Sequence, residues 1–148
     1  MDNVIYTAAF VSERTMRQLQ YIAAKHGVRL PKTPDRPHIT LEFRPEKDHV
    51  RKELFSKKIF CHLVGYGNNG KNEGFYISVD GGDKELFKLF ARLDVPHITM
   101  SFAEDAKPVD TAALDFVPLA SVDQFEFEAQ YDAFCGKSGL AYKKHWRD

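Results

Sequence analysis

Two seven-residue segments limit what this chain can fold into more than any other feature. Pro37-His38-Ile39-Thr40-Leu41-Glu42-Phe43 and Pro96-His97-Ile98-Thr99-Met100-Ser101-Phe102 share their first four residues and their last, with the histidines 59 positions apart. Their surroundings repeat as well. Val4 to Val11 is rich in β-branched and aromatic residues and reads as a strand. Ser12 stands at an N-cap position before Glu13, and Met16, Leu19, Ile22 and Ala23 recur at helical spacing up to Gly27, so a helix is expected over Ser12 to His26. In the second copy, Phe75 to Val79 reads as a strand, Gly81-Gly82 breaks it, and Leu86, Phe87, Leu89 and Phe90 predict a helix over Asp83 to Leu93. Each helix is followed by proline, which favours extended chain, and then by the His-Ile-Thr strand. Duplication of one β-α-β unit is the economical explanation.

Between and after the repeats the pattern is plainer. Lys58 to Tyr66 reads as a strand, Gly67 to Gly74 as a hairpin-like loop around Asn-Gly, and Val122 to Phe134 as an alternating strand. Lys107 to Thr111 predicts a short helical turn with Asp110 as its N-cap, and Leu140 to Tyr142 a last short strand. The length fits one domain over residues 1–148, with one lobe over about 1–66 and the other over about 74–148.

Within each His-Ile-Thr strand, side chains alternate between faces. His and Thr therefore point together to one side, and Ile to the other, into a core. If the two units pack about a pseudo-twofold axis, His38, His97, Thr40 and Thr99 converge on one cleft. That set suits a phosphodiester. Hydrolysis needs a base for the nucleophile and an acid for the leaving oxygen, and histidine serves either role near neutrality. Two hydroxyls can donate to the non-bridging oxygens. No metal or other cofactor is required by such a set.

The paired His-x-Thr motifs, each behind a β-α unit in a short chain, resemble the 2H phosphoesterase superfamily. The resemblance covers roughly Val4 to Phe43 and Phe75 to Phe102, and the opening Tyr6-Thr7-Ala8-Ala9-Phe10 is similar to the first strand of compact members linked to RNA repair. It implies an α+β fold, bilobal, with two antiparallel sheets lining a central cleft and helices outside. It implies His38 and His97 as the acid–base pair and Thr40 and Thr99 as phosphate ligands. By analogy His38 activates the attacking water or hydroxyl and His97 protonates the leaving oxygen, although the motif's own symmetry leaves the two roles interchangeable. The implied substrates are 2′,3′-cyclic phosphates at RNA ends or on small nucleotides, or 3′–5′ linkages in cyclic oligonucleotide signals, which compact phage members destroy. A non-catalytic nucleotide-binding module on the same scaffold is the third reading, and two intact motifs speak against it. The 59-residue spacing is short for the larger RNA-ligase-like members, so their preferences do not carry over.

Tyr6, Phe10, Tyr66 and Tyr76 are candidate base-stacking residues, Arg36 a candidate phosphate partner, and the segment Tyr142 to Arg147 with Trp146 a candidate nucleotide clamp. The chain carries 21 basic and 21 acidic side chains, which argues against a broad nucleic-acid-coating surface but leaves room for a small basic cleft. Gly65-x-Gly67-x-x-Gly70 matches the dinucleotide fingerprint in letters only, because a strand and not a helix follows it. His26 belongs to its helix end, and His49, His62 and His145 lack metal-ligand spacing. Cys61 and Cys135 form no CxxC pair and read as reduced thiols. No apolar run reaches the roughly 20 residues of a membrane span, and Met1 to Val4 does not open a signal peptide, so a monomer in the cytoplasm, of a cell or of a virus-infected host, is the expectation.

Overall fold

Both helices start where a short polar side chain can take up a free amide. Ser12 Oγ accepts from the Thr15 amide at 3.1 Å and opens α1 (Glu13–Lys25), directly after β1 (Tyr6–Val11). Asp83 Oδ1 accepts from the Leu86 amide at 3.1 Å and opens α2 (Lys84–Phe90), directly after β4 (Asn72–Gly82). The His-Ile-Thr strands follow as β2 (His38–Phe43) and β5 (His97–Phe102). The remaining strands are β3 (Lys58–Asn68), β6 (Val117–Pro118) and β7 (Glu126–Phe134). The computed structural model describes residues 3–142.

The strands form one seven-stranded sheet in the order β2-β1-β7-β3-β4-β5, with β6 paired to β3 and every pairing antiparallel. The expectation of two antiparallel sheets is corrected here. β7 pairs with β1 on one side and with β3 on the other, and so joins the two strand–helix–strand units through the middle. β7 comes from the C-terminal part of the chain and completes the sheet beside β1, while β3 completes it beside β4. The two edge strands, β2 and β5, come back into contact, and an antiparallel bridge ties Lys32 to Phe102. The sheet is therefore curved, with its two outer strands facing each other.

Register assigns each sheet face a task. Ile39, Ala9, Tyr131, Ile59, Ile77 and Ile98 lie on the core face, each fully buried. Leu19, Ile22 and Ala23 of α1 and Leu86 and Phe90 of α2 join the same core, so the helices cover that face. Burying each such large side chain contributes about 1.5–3 kcal/mol. The opposite face carries His38, Thr40, His97 and Thr99. No helix among the described residues is long and apolar enough to cross a membrane.

Several local expectations shift. The hairpin loop shrinks to Asn69–Lys71, because Asn69 Oδ1 accepts from the amides of Lys71 and Asn72 at 2.9 Å each and closes a tight Asx turn. Gly81 and Gly82 remain within β4. The 3₁₀ turn at Pro108–Ala113 has Lys107, not Asp110, as its cap, with proline at its start. Val122 falls in a separate 3₁₀ turn before β7, and Leu140 makes only an isolated bridge to Phe134.

Gly65 and Gly67 of the loose fingerprint, together with Gly74, serve close packing. A Cβ at Gly65 would meet the Val117 carbonyl at 3.2 Å, and one at Gly67 the Leu114 side chain at 3.1 Å. One at Gly74 would lie 2.5 Å from both the Ile98 carbonyl and Thr111 Cγ2. These positions form a seat on which residues 107–118 lie. Gly74→Ala therefore forces backbone apart, and urea unfolding should show a loss of about 1–3 kcal/mol. An unchanged midpoint would contradict this packing.

Candidate active site

The placement of each imidazole starts one residue earlier. Proline has no amide hydrogen to leave unpaired, and its carbonyl remains a full acceptor. The Pro37 carbonyl accepts from the Val11 amide at 3.3 Å, and the Pro96 carbonyl from the Ile77 amide at 3.1 Å. Each proline is thus docked on the neighbouring strand. His38 Nδ1 then lies 2.9 Å from the Arg36 carbonyl oxygen, and His97 Nδ1 2.8 Å from the Val95 carbonyl oxygen. A carbonyl only accepts, so Nδ1 carries the proton in both rings and Nε2 is left with its lone pair.

Past each threonine the strands depart from alternation. Phe10 pairs with His38, Ala8 with Thr40, and then Thr7 with Glu42, so Leu41 is an extra residue in a β-bulge. In the second unit Tyr76 pairs with His97, Gly74 with Thr99, and Glu73 with Ser101, so Met100 is the extra residue. Unbroken alternation would have placed Glu42 and Ser101 on the site face. The bulges turn those residues away and bring Phe43 and Phe102 onto it.

His38, Thr40, His97 and Thr99 all line one cavity of about 1280 Å³. That exceeds the roughly 300–1,000 Å³ of ordinary small-molecule sites. Tyr6, Phe10, Phe43, Phe102 and Phe134 give it aromatic walls, and Arg36, Lys107 and Asp35 its charges. The Tyr6 ring stacks on His38 at 4.8 Å between centroids and on Phe134 at 5.1 Å. Arg36 lies 3.4 Å from the Val11 carbonyl and 4.0 Å from Glu13, so part of its donor set is already engaged.

Burial holds both imidazoles below the ordinary histidine range. For His38 the carbonyl bond from Arg36 opposes that shift, and the nearby His97 adds to it. For His97 the bond from Val95 opposes it. The Tyr6 hydroxyl is pushed well above its ordinary value, by burial first and by Asp35 second, and stays protonated.

Of the residues singled out in the sequence, Tyr6, Phe10 and Arg36 line the cavity with the four motif residues. Tyr76 pairs with His97 across the strands, but its ring packs on Phe116, outside the cavity lining. Tyr66 is on the helix face, stacked on His26 at 3.7 Å and donating to Glu73 at 2.6 Å. Trp146 and His145 lie outside the described residues. Glu46, Asp48 and His49 form an exposed group, and none of the three lines the cavity. Phe43, Phe102, Phe134 and Lys107 were missed. The shared last phenylalanine of the two motifs was a visible signal for the first two, but the bulge that re-aims them was not.

A scan against protein-family models finds no matching family, and a search of the curated proteins finds no match.

Histidine-selective ¹⁵N spectra should show the Nδ1–H tautomer for both His38 and His97, with both rings titrating below 6.5. The sign for stability follows. The unfolded chain takes up these protons first, so each ring costs stability as pH falls through about 6.5 and the cost levels off below the folded-state values. Either ring titrating above 6.5 would contradict the burial.

Proposed function

We propose that this chain is a metal-independent phosphodiesterase of the 2H phosphoesterase type, acting on nucleotide 2′,3′-cyclic phosphates. The observation that carries this reading is the pair of Nδ1-anchored imidazoles, each with a threonine two residues on, lining one cavity. The repeated cap, proline dock and bulge support descent of the two units from one, arranged as two lobes about a pseudo-twofold axis. The buried free thiol of Cys61 suits a reducing compartment such as the cytoplasm, where a single chain would act.

His38 Nε2 takes a proton from water as its oxygen attacks phosphorus. A new P–O bond forms, the bond to the leaving oxygen breaks, and that oxygen receives the proton held on His97 Nε2. A bound phosphate anion beside His97 favours its protonated form and opposes the effect of burial. Thr40 and Thr99 border the phosphate, Arg36 adds positive charge, and Tyr6 and Phe10 offer aromatic surface to a base. The symmetric arrangement permits the two histidines to exchange roles.

A second reading, hydrolysis of a 3′–5′ linked cyclic oligonucleotide, is favoured by one observation. The cavity of about 1280 Å³ has room beyond a single nucleotide. The purified chain, in EDTA, should open 2′,3′-cyclic AMP or an RNA end carrying a cyclic phosphate. His38→Ala and His97→Ala should each lower turnover by about 10²–10⁴-fold. Activity confined to cyclic oligonucleotides would favour the second reading. Activity that EDTA abolishes, or that survives both substitutions, would contradict both.

The pH profile gives an independent check. A catalytic cycle with one neutral and one protonated imidazole, both shifted down, has its kcat/KM maximum below about pH 6.5. A maximum above pH 7.5 or so would contradict the assignment of these rings as the titrating pair.

A further inference from the structure

The two threonines of the motifs are not equivalent. Among the described residues nothing takes a hydrogen bond from the Thr40 hydroxyl, which lines the cavity. Thr99 Oγ1 lies 3.1 Å from the Pro108 carbonyl oxygen and 2.9 Å from Thr111 Oγ1. Asn72 Nδ2 in turn donates to Thr111 Oγ1 at 3.2 Å and to the Lys107 carbonyl at 2.8 Å. Asn72 and Thr111 are fully buried.

Proton counting fixes the direction of this chain. The Pro108 carbonyl can only accept, so it takes the single hydroxyl proton of Thr99. The Asn72 amide nitrogen can only donate, so the Thr111 proton goes to Thr99, the one acceptor left to it among these groups. The chain runs Asn72, Thr111, Thr99, Pro108, and each hydroxyl proton is used. Thr99 keeps none for a phosphate oxygen. The same bonds pin the carbonyls of Lys107 and Pro108, the start of the segment seated on the glycines. Lys107 lines the cavity, and no carboxylate among the described residues pairs with its ammonium.

We propose that Lys107, and not the Thr99 hydroxyl, supplies the phosphate contact on the His97 side, with Thr111 as the positioning residue that holds its segment in place. This rests on the phosphodiesterase reading of the cavity. The anion is then met by the Thr40 hydroxyl and the Arg36 charge on the first unit and by the Lys107 ammonium on the second. A charged donor binds a phosphate oxygen more strongly than a hydroxyl does. The ligand class is a nucleoside phosphate, and the dianionic phosphomonoester left by hydrolysis should sense Lys107 more than the monoanionic diester does.

The test is calorimetric titration with adenosine 3′-monophosphate, which needs no turnover. Lys107→Met should weaken binding by about tenfold or more and flatten its salt dependence, and Lys107→Arg should restore both. Lys71→Met removes an equal charge outside the cavity, from an exposed pair with Asp105, and should leave binding unchanged. Thr111→Val should weaken binding as Lys107→Met does, with Thr111→Ser restoring it, and a Thr111→Val chain that does not fold leaves the Lys107 variants, exposed and foldable, to decide. Binding by Lys107→Met within about twofold of the parent chain would overturn the proposal alone. A parent chain that neither binds the monophosphate nor hydrolyses any cyclic phosphate would overturn the phosphodiesterase reading as well.

Discussion

The hydrogen bond from each imidazole Nδ1 to the carbonyl two residues upstream sets the orientation on which the site depends. A carbonyl has no proton to give, so the bond decides which ring nitrogen is protonated and which is presented. It also spans the intervening proline, whose own carbonyl is docked on the adjacent strand. Strand pairing, proline position and ring tautomer are thus one linked arrangement, made twice. An imidazole free to rotate would present either nitrogen, and two such rings would seldom be poised as base and acid together.

What surrounds these rings is less symmetric than the rings themselves. Tyr6 stacks on His38, and no aromatic ring is stacked on His97 among the described residues. The first threonine faces the cavity with its hydroxyl unengaged, and the second is tied into the segment that covers β3 and β4. The glycines under that segment are required by approach distance, since Gly74 has no room for a methyl group. Among the described residues, the two strand–helix–strand units thus differ around the shared motif, with a stacked aromatic ring on His38 and a hydrogen-bonded network on Thr99.

Much of this was legible in the sequence because the signals were local. The N-cap at Ser12, the prolines before each histidine and the His-x-Thr alternation each act over a few residues, and the last two recur. The joining of the sheet through β7 was not legible, because strand order is a long-range choice that alternation does not encode. The bulges at Leu41 and Met100 were hidden for a related reason: an extra residue shows only against a partner strand. Tyr66 and Tyr76 show the limit from the other direction. Both are aromatic strand residues, yet register puts Tyr66 on the helix face, and Tyr76, though on the site face, packs on Phe116.

The central claim is that the two Nε2 atoms address one bound phosphate. Titrating ¹⁵N-histidine-labelled protein with inorganic phosphate, and following both Nε2 resonances, tests it without assuming a substrate. The account predicts that His38 and His97 shift together with a single dissociation constant, while His26 and His62 stay still. A shift of only one of the two, or of neither at saturating phosphate, would contradict it.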